Sequence, residues 1–339
     1  MRMAQDREQE GWFEMNSASL PIGGRPAISL QAEWQQQVGA WRDLLAQCAR
    51  KPSRGRVHAL RSLTLRLRAA LEYRLHEQGQ DPAAADVLRR WNKEGKKLRR
   101  ALQPVRDADV YLARLDGLRK TLGGAVDGEP KLSPRCLREM DKLEIRLKQR
   151  RQTGIDKLMA VLDAHANRLN RASKEMEAAL ASPMPSGVSS TAHVALRIFA
   201  GLAGEFPGLD SANLHTFRTR LKPALYLADI SAAADPLAGQ LATAFRKIHL
   251  VTGVWHDWQA LALEASRIFP GHGKQDGLLP VLERLTEGAL KRALGLCRRS
   301  TVRFLKSGGA VQPSSRRRPV AADSSCHMRD GCPSSGVSS

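Results

Sequence analysis

The chain has 339 residues, enough to bury a sizeable core, and its 42% hydrophobic content fits a globular protein rather than a disordered one. Its 54 Lys and Arg against 34 Asp and Glu give a formal charge of +20, which draws it toward polyanions or anionic surfaces. No run of about 18 apolar residues occurs, so no membrane span is expected. The five cysteines, Cys48, Cys136, Cys297, Cys326 and Cys332, are odd in number and scattered, which fits a reducing cytoplasm better than a disulfide framework.

Residues 1–28 are mixed and punctuated by Gly and Pro, and are expected to form a flexible N-terminus. Early acids (Asp6, Glu8, Glu10) without an apolar stretch do not read as a secretory signal. Periodic helix begins near Ser29, with Trp34, Val38, Trp41, Leu44, Leu45 and Cys48 at i, i+3/i+4 spacing. Pro52-Ser53 breaks it, and a second helix covers roughly 56–78. Asp81 with Pro82 opens a third that continues to Gln103, and Pro104 starts a fourth that runs to about Leu122. Ser133-Pro134 opens a long helical stretch to Ala181, with a candidate interruption at Gly154. A linker at 182–188 (Ser-Pro-Met-Pro-Ser-Gly-Val) separates a first half, 29–181, from a second, 189–306. Helices recur at 189–205, 211–230, 235–252, 254–269 and 278–306, and 307–339 reads as a flexible tail. Ala, Leu, Arg, Gln, Glu and Lys dominate and aromatics are only 5%, so the expected fold class is all-α. The matching halves suggest two pseudo-symmetric helical bundles, duplicated four-helix-type units around a basic cleft.

Each half carries one histidine that opens a basic stripe. His58, Arg61 and Arg68 share a narrow face of the second helix, beside an apolar face of Leu60, Leu63, Thr64, Leu67, Leu71 and Leu75. Arg66 points away and reads as a solvated residue. In the second half His215, Arg218, Lys222 and Tyr226 are spaced 3, 4 and 4, with Pro223 expected to interrupt or kink the helix. Arg246 and His249 share a face downstream, flanked by Lys247. The heaviest stripe is Arg89, Lys93, Lys96, Lys97 and Arg100, opposite Val87, Leu88, Trp91, Leu98 and Leu102. Like charges at i, i+3 and i+4 repel by a few tenths of a kcal/mol per pair. A stripe built only for solubility would intersperse Glu, so an anion-binding groove explains it better than a solvated face.

Each stripe leads on to a bend carrying an aspartate, Pro104-Val105-Arg106-Asp107 and Gly253-Val254-Trp255-His256-Asp257. Asp107 and Asp109 diverge on a helix start and are expected to serve that terminus or a neighbouring Arg. No HExxH or CxxC spacing, P-loop, Rossmann glycine pattern or GxSxG occurs, so no catalytic residue, metal ligand or cofactor is assigned. Cys326-His327 with Cys332 is a weak metal signal.

These units resemble the CHAD domain, the conserved histidine α-helical domain, over roughly residues 30–306. Four places carry the resemblance: Val57-His58 with Arg61 and Arg66-Leu67-Arg68; Leu102-Gln103-Pro104-Val105-Arg106-Asp107-Ala108-Asp109-Val110; Leu214-His215 with Arg218, Lys222 and Tyr226; and Gly253 with His256-Asp257-Trp258. The Pro-Val-Arg-Asp-Ala-Asp-Val run is the most specific. The resemblance implies two all-helical bundles around a basic cleft that binds inorganic polyphosphate without catalysis. Such a cleft suits a cytoplasmic, granule-associated protein. A fused CYTH triphosphatase-like domain is not expected, because residues 1–28 are too short for one and no ExExK motif occurs. Leu65, Pro223 and Leu225 stand at frequently basic family positions and Gln103 at a common glycine, so the second half is expected to hold anions less strongly. The expected polyphosphate contacts are His58, Arg61, Arg68, Arg89, Lys93, Lys96, Lys97, Arg100, Arg106, His215, Arg218, Lys222, Tyr226, Arg246, Lys247 and His249. Alternatives are a nucleic-acid-binding protein, against which the lack of stacking aromatics weighs, and a metal-dependent polyphosphate hydrolase using His58, His215, Asp107 and Asp257.

Overall fold

The computed structural model describes residues 29–77, 81–123, 132–183, 189–269 and 276–308, with side chains described as far as residue 300. The expected flexible N-terminus at 1–28, most of the linker (184–188) and the tail beyond 308 lie outside these residues. All regular structure described is helical: α1 (Leu30–Arg50), α2 (Arg54–Glu77), α3 (Pro82–Gly123), α4 (Pro134–Ala181), α5 (Thr191–Glu205), α6 (Leu214–Asp229), α7 (Pro236–Ile268) and α8 (Leu278–Gly308).

The starts follow the capping chemistry of the sequence. Ser29 Oγ accepts from Ala32 N at 3.2 Å, Asp81 Oδ1 from Ala83 N at 2.9 Å, and Ser133 Oγ from Cys136 N at 2.9 Å. Asp235 Oδ1 caps α7 through Leu237 N and Ala238 N at 2.9 and 3.2 Å. Each such cap satisfies a donor that the helix leaves orphaned, worth about 1 kcal/mol.

Three expected breaks are absent. Pro104 lies inside α3 rather than at a new start, Gly253 lies inside α7 rather than at a bend, and α4 runs unbroken through Gly154. Asp107, Asp109, His256 and Asp257 therefore sit in mid-helix. An internal proline forfeits one i→i−4 hydrogen bond, but packing between long helices outweighs that local cost. A Cβ at Gly154 would come within 3.1 Å of Val105 Cγ2 and 3.3 Å of Pro104 Cβ, so glycine lets α4 cross close to α3 at the proline. Pro223 likewise stays within α6, on its exposed side.

Contacts gather α1–α4 into one group and α5–α8 into another, joined by α2 against α6, α3 against α7 and α4 against α8. In the first group Trp41 and Trp91 pack with ring centres 5.1 Å apart. Both indoles bond to Thr64: Trp41 Nε1 donates to its Oγ1 at 2.9 Å, and Trp91 Nε1 to its carbonyl at 3.3 Å. One α2 residue thus fixes α1 and α3, and truncating either Trp to Ala costs about 3–5 kcal/mol. Stacked Phe199 and Phe245, 5.0 Å apart, anchor α5 to α7 in the second group. The buried side chains of both groups form one continuous core.

Candidate anion-binding cleft

Between α2, α3, α6 and α7 lies a cleft of about 210 Å³. From α2 it receives His58, Arg61, Ser62 and Leu65; from α3, Gln103, Arg106, Asp107 and Tyr111. From α6 come His215, Arg218, Thr219, Lys222 and Tyr226, and from α7 His249, His256 and Asp257. Helical spacing explains the convergence. Positions 58, 61 and 65 form one row on α2, 103, 106 and 107 one on α3, and 249, 256 and 257 one on α7.

Burial and like charge dominate the electrostatics. Arg61, Arg218 and Lys222 have no ion pair or hydrogen bond to another described side chain, and Arg218 is only 8% exposed with its Nε unpartnered. Burial lowers the proton affinity of both arginines, and neighbouring Arg106 lowers it further. Burial, then Arg218, Arg61 and Arg106, brings Lys222 down to about 8. His58 falls to about 4, first through burial and then through Arg106, Arg66, Arg61 and Arg54, so it is neutral at pH 7. His249 is held well below its ordinary value by burial and then by Arg218, Lys222 and Arg106, and its Nδ1 has no hydrogen-bond partner. His215 is shifted down by burial and by His256, whose ring centre lies 4.8 Å away. Burial raises the phenol of Tyr226.

The two carboxylates of the cleft are already engaged. Asp257 accepts from Arg114 at 3.3 Å and pairs with Arg106 at 3.7 Å, which ties α3 to α7 across the two halves. Asp107 accepts from Gln103 Nε2 at 2.6 and 2.7 Å and from Arg106 at 3.0 Å. The side chain of Arg106 is thereby fixed between two acids, and their charges raise its proton affinity despite burial. Arg114 also stacks over Trp258, 5.6 Å from the ring centre. What remains is a set of partly desolvated cations beside the neutral imidazoles of His58 and His249, groups able to donate hydrogen bonds, an arrangement suited to oxyanions.

The structure brings together eight of the sixteen expected contacts: His58, Arg61, Arg106, His215, Arg218, Lys222, Tyr226 and His249. The other eight do not line the cleft. Arg68 pairs with Glu72 at 2.7 Å. Arg246 and Arg66 both reach the Asp229 carboxylate, at 2.6 and 3.1 Å, so Arg66 joins α2 to α6 rather than facing solvent. Arg89 pairs with Asp86, and Lys97 with Glu94 at 3.1 Å. Lys93, Lys96, Arg100 and Lys247 are exposed. Of the departures from family pattern, Leu225 is in the core and Pro223 faces outward, so neither takes a place in the cleft wall.

The polyphosphate contacts expected from the sequence omit Gln103, Asp107, Tyr111, His256 and Asp257 of the cleft, and Arg99 beside it; Asp107 and Asp257 enter only the hydrolase alternative. Arg99 is half-buried with one terminal nitrogen unpartnered, and burial, then the charges of Arg68 and Arg61, lower its proton affinity. The signal was present: 99, 103 and 106 run i, i+4, i+7, as do 249, 253 and 256. Breaks placed at Pro104 and Gly253 cut both rows in two.

Among the described residues no group of three or more His, Cys, Asp or Glu side chains could hold a metal ion, and no helix is long and apolar enough to cross a membrane. Fold and cleft together define a basic, all-α helical-bundle protein with partly buried cations facing one opening. Residues 32–266 match the CHAD domain, and the chain belongs to that family. Among solved structures it is similar to PptA from Streptomyces chartreusis, with 16% identity, a TM-score of 0.56, and coverage of 82% of this chain and 98% of that one. At that identity the likeness concerns the fold alone. No curated protein matches the chain significantly.

Proposed function

We propose that the protein binds inorganic polyphosphate in this cleft without catalysing its hydrolysis. The observation that carries the reading is the placing of buried Arg218 and half-buried Arg61 and Lys222 around one cleft with no acid paired to them. Holding like charges together away from water costs several kcal/mol, and a polyanion relieves both the repulsion and the lost solvation. Arginine grips phosphate oxygens through two parallel hydrogen bonds, and Lys222 adds a point charge. Neutral His58 and His249 donate ring N–H groups, which requires no protonation.

In this reading the two helix groups are copies of one unit, with α2 and α6 as equivalent walls opened by His58 and His215. The protein acts in the cytoplasm, at polyphosphate granules. Nucleic acid fits less well, because the cleft offers only Tyr111 and Tyr226 as large aromatics and their phenols are largely buried.

Filter binding of long-chain polyphosphate at two salt concentrations tests the reading. Log K is expected to fall linearly with log salt, and DNA at equal phosphate concentration should leave the complex intact. Displacement by DNA would assign the protein to nucleic acid instead. Orthophosphate released on adding Mg²⁺ or Mn²⁺ would make it a hydrolase.

A further inference from the structure

The cleft leaves the heaviest stripe of the sequence unused. Along the first half of α3, Arg89 is paired with Asp86, Arg90 with Glu175 at 2.7 Å and Lys97 with Glu94 at 3.1 Å. Lys93, Lys96 and Arg100 differ: they are exposed and have no ion pair among the described residues. They lie at i, i+3 and i+7, one face of the helix, where mutual repulsion is a standing cost that a solubilising surface would avoid.

Arg99 connects this face to the cleft. It follows Lys96 and precedes Arg100, its guanidinium lies within 3.3 Å of where a Cβ at Gly95 would stand, and the charges of Arg68 and Arg61 reach it. Arg68 is neutralised by Glu72 at 2.7 Å, so the unpaired charge leads from Arg61 through Arg99 onto Lys96, Arg100 and Lys93. From Arg106 to Lys93 this path covers about 20 Å at the helical rise of 1.5 Å per residue.

The cleft is also too small for a polymer. At about 210 Å³ it is little larger than the roughly 150 Å³ cavity that holds one benzene-sized ligand. A chain of many phosphates must leave it.

We propose that Lys93, Lys96 and Arg100 form an outer track, entered past Arg99, along which a polyphosphate chain seated in the cleft continues. The protein thereby prefers long chains to short ones. This rests on the polyphosphate reading above. Short chains fill the cleft and never reach the track, whereas long chains meet three further cations.

The test compares the parent with a Lys93→Ala/Lys96→Ala/Arg100→Ala variant, using tripolyphosphate and long-chain polyphosphate as probes and a thermal melt to confirm folding. For tripolyphosphate the two proteins should agree within about twofold. For the long chain the variant should bind about tenfold more weakly at low salt. Its salt slope should be shallower by about 2, at roughly 0.7 for each phosphate no longer neutralised. Long-chain binding that is unchanged, or weakened no more than that of tripolyphosphate, overturns the track while leaving the cleft reading intact. A parent that binds neither probe overturns both.

Discussion

The cleft and the α3 stripe hold comparable numbers of cations in opposite settings. In the cleft Arg218 is buried and Arg61 and Lys222 are half-buried beside it, short of solvation, so each charge acts through a medium that screens it less than water. On the stripe Lys93, Lys96 and Arg100 stand in water, where salt screens them over about 8–10 Å. Sequence ranks the stripe first, because it counts charges. Structure ranks the cleft first, because depth sets how much each charge is worth. A buried cation without a partner is a strained element that a ligand can relieve, and a solvated one gains less from the same ligand.

The largest expected effect breaks the cleft side of this comparison. An Arg61→Ala/Arg218→Ala variant removes two charge-assisted contacts worth about 1.5–3 kcal/mol each, so polyphosphate affinity should drop by at least a hundredfold in filter binding. A loss no larger than that of the triple stripe variant would mean that depth confers no advantage.

Asp257→Ala should act on stability next. It takes from partly buried Arg114 its only paired acid among the described residues and leaves Arg106 with Asp107 alone, a change that costs about 1–3 kcal/mol. The thermal midpoint should fall by several degrees in calorimetry. Added polyphosphate should recover more of that loss than it adds to the parent, because phosphate oxygens can stand in for the missing acid.

The smallest effect sharpens the contrast through pH. In the free protein Lys222 is lowered to about 8, and an anion beside it favours its charged form. Binding therefore takes up a proton above that pH. The Lys222 contribution is complete below pH 8 and declines as pH rises above it, toward the higher value of the bound state. Affinity measured between about pH 7 and 9.5 should fall in the parent and stay flatter in Lys222→Arg, whose charge survives throughout. The triple stripe variant should keep the parent's slope.

Much of the fold is legible along the chain. Ser29, Asp81, Ser133 and Asp235 open helices where capping chemistry places them, and the Trp34, Trp41 and Trp91 faces that periodicity marks as apolar are buried. The errors share one cause. Pro104, Gly154 and Gly253 carry local helix-breaking preferences of about 1–3 kcal/mol, which long interhelical contacts override. Because two of those false breaks interrupt rows that face the cleft, an error about secondary structure became an error about the site. Arg99 and His256 fall outside the expected site for that reason, while the α6 row, His215 to Tyr226, is legible whole.

By itself, then, the sequence determines the helical class, the division into two runs of helices and the face on which His58, Arg61, His215, Arg218 and Lys222 lie, since periodicity and capping are local properties of the chain. Tertiary structure decides which charges are neutralised and which are left alone. Whether Arg66 meets Asp229, Arg106 meets Asp257 or Arg151 meets Asp109 depends on how helices cross and on which side chains reach each other. Charge is written residue by residue, but the energy of a charge depends on its surroundings, and those exist only in the folded molecule.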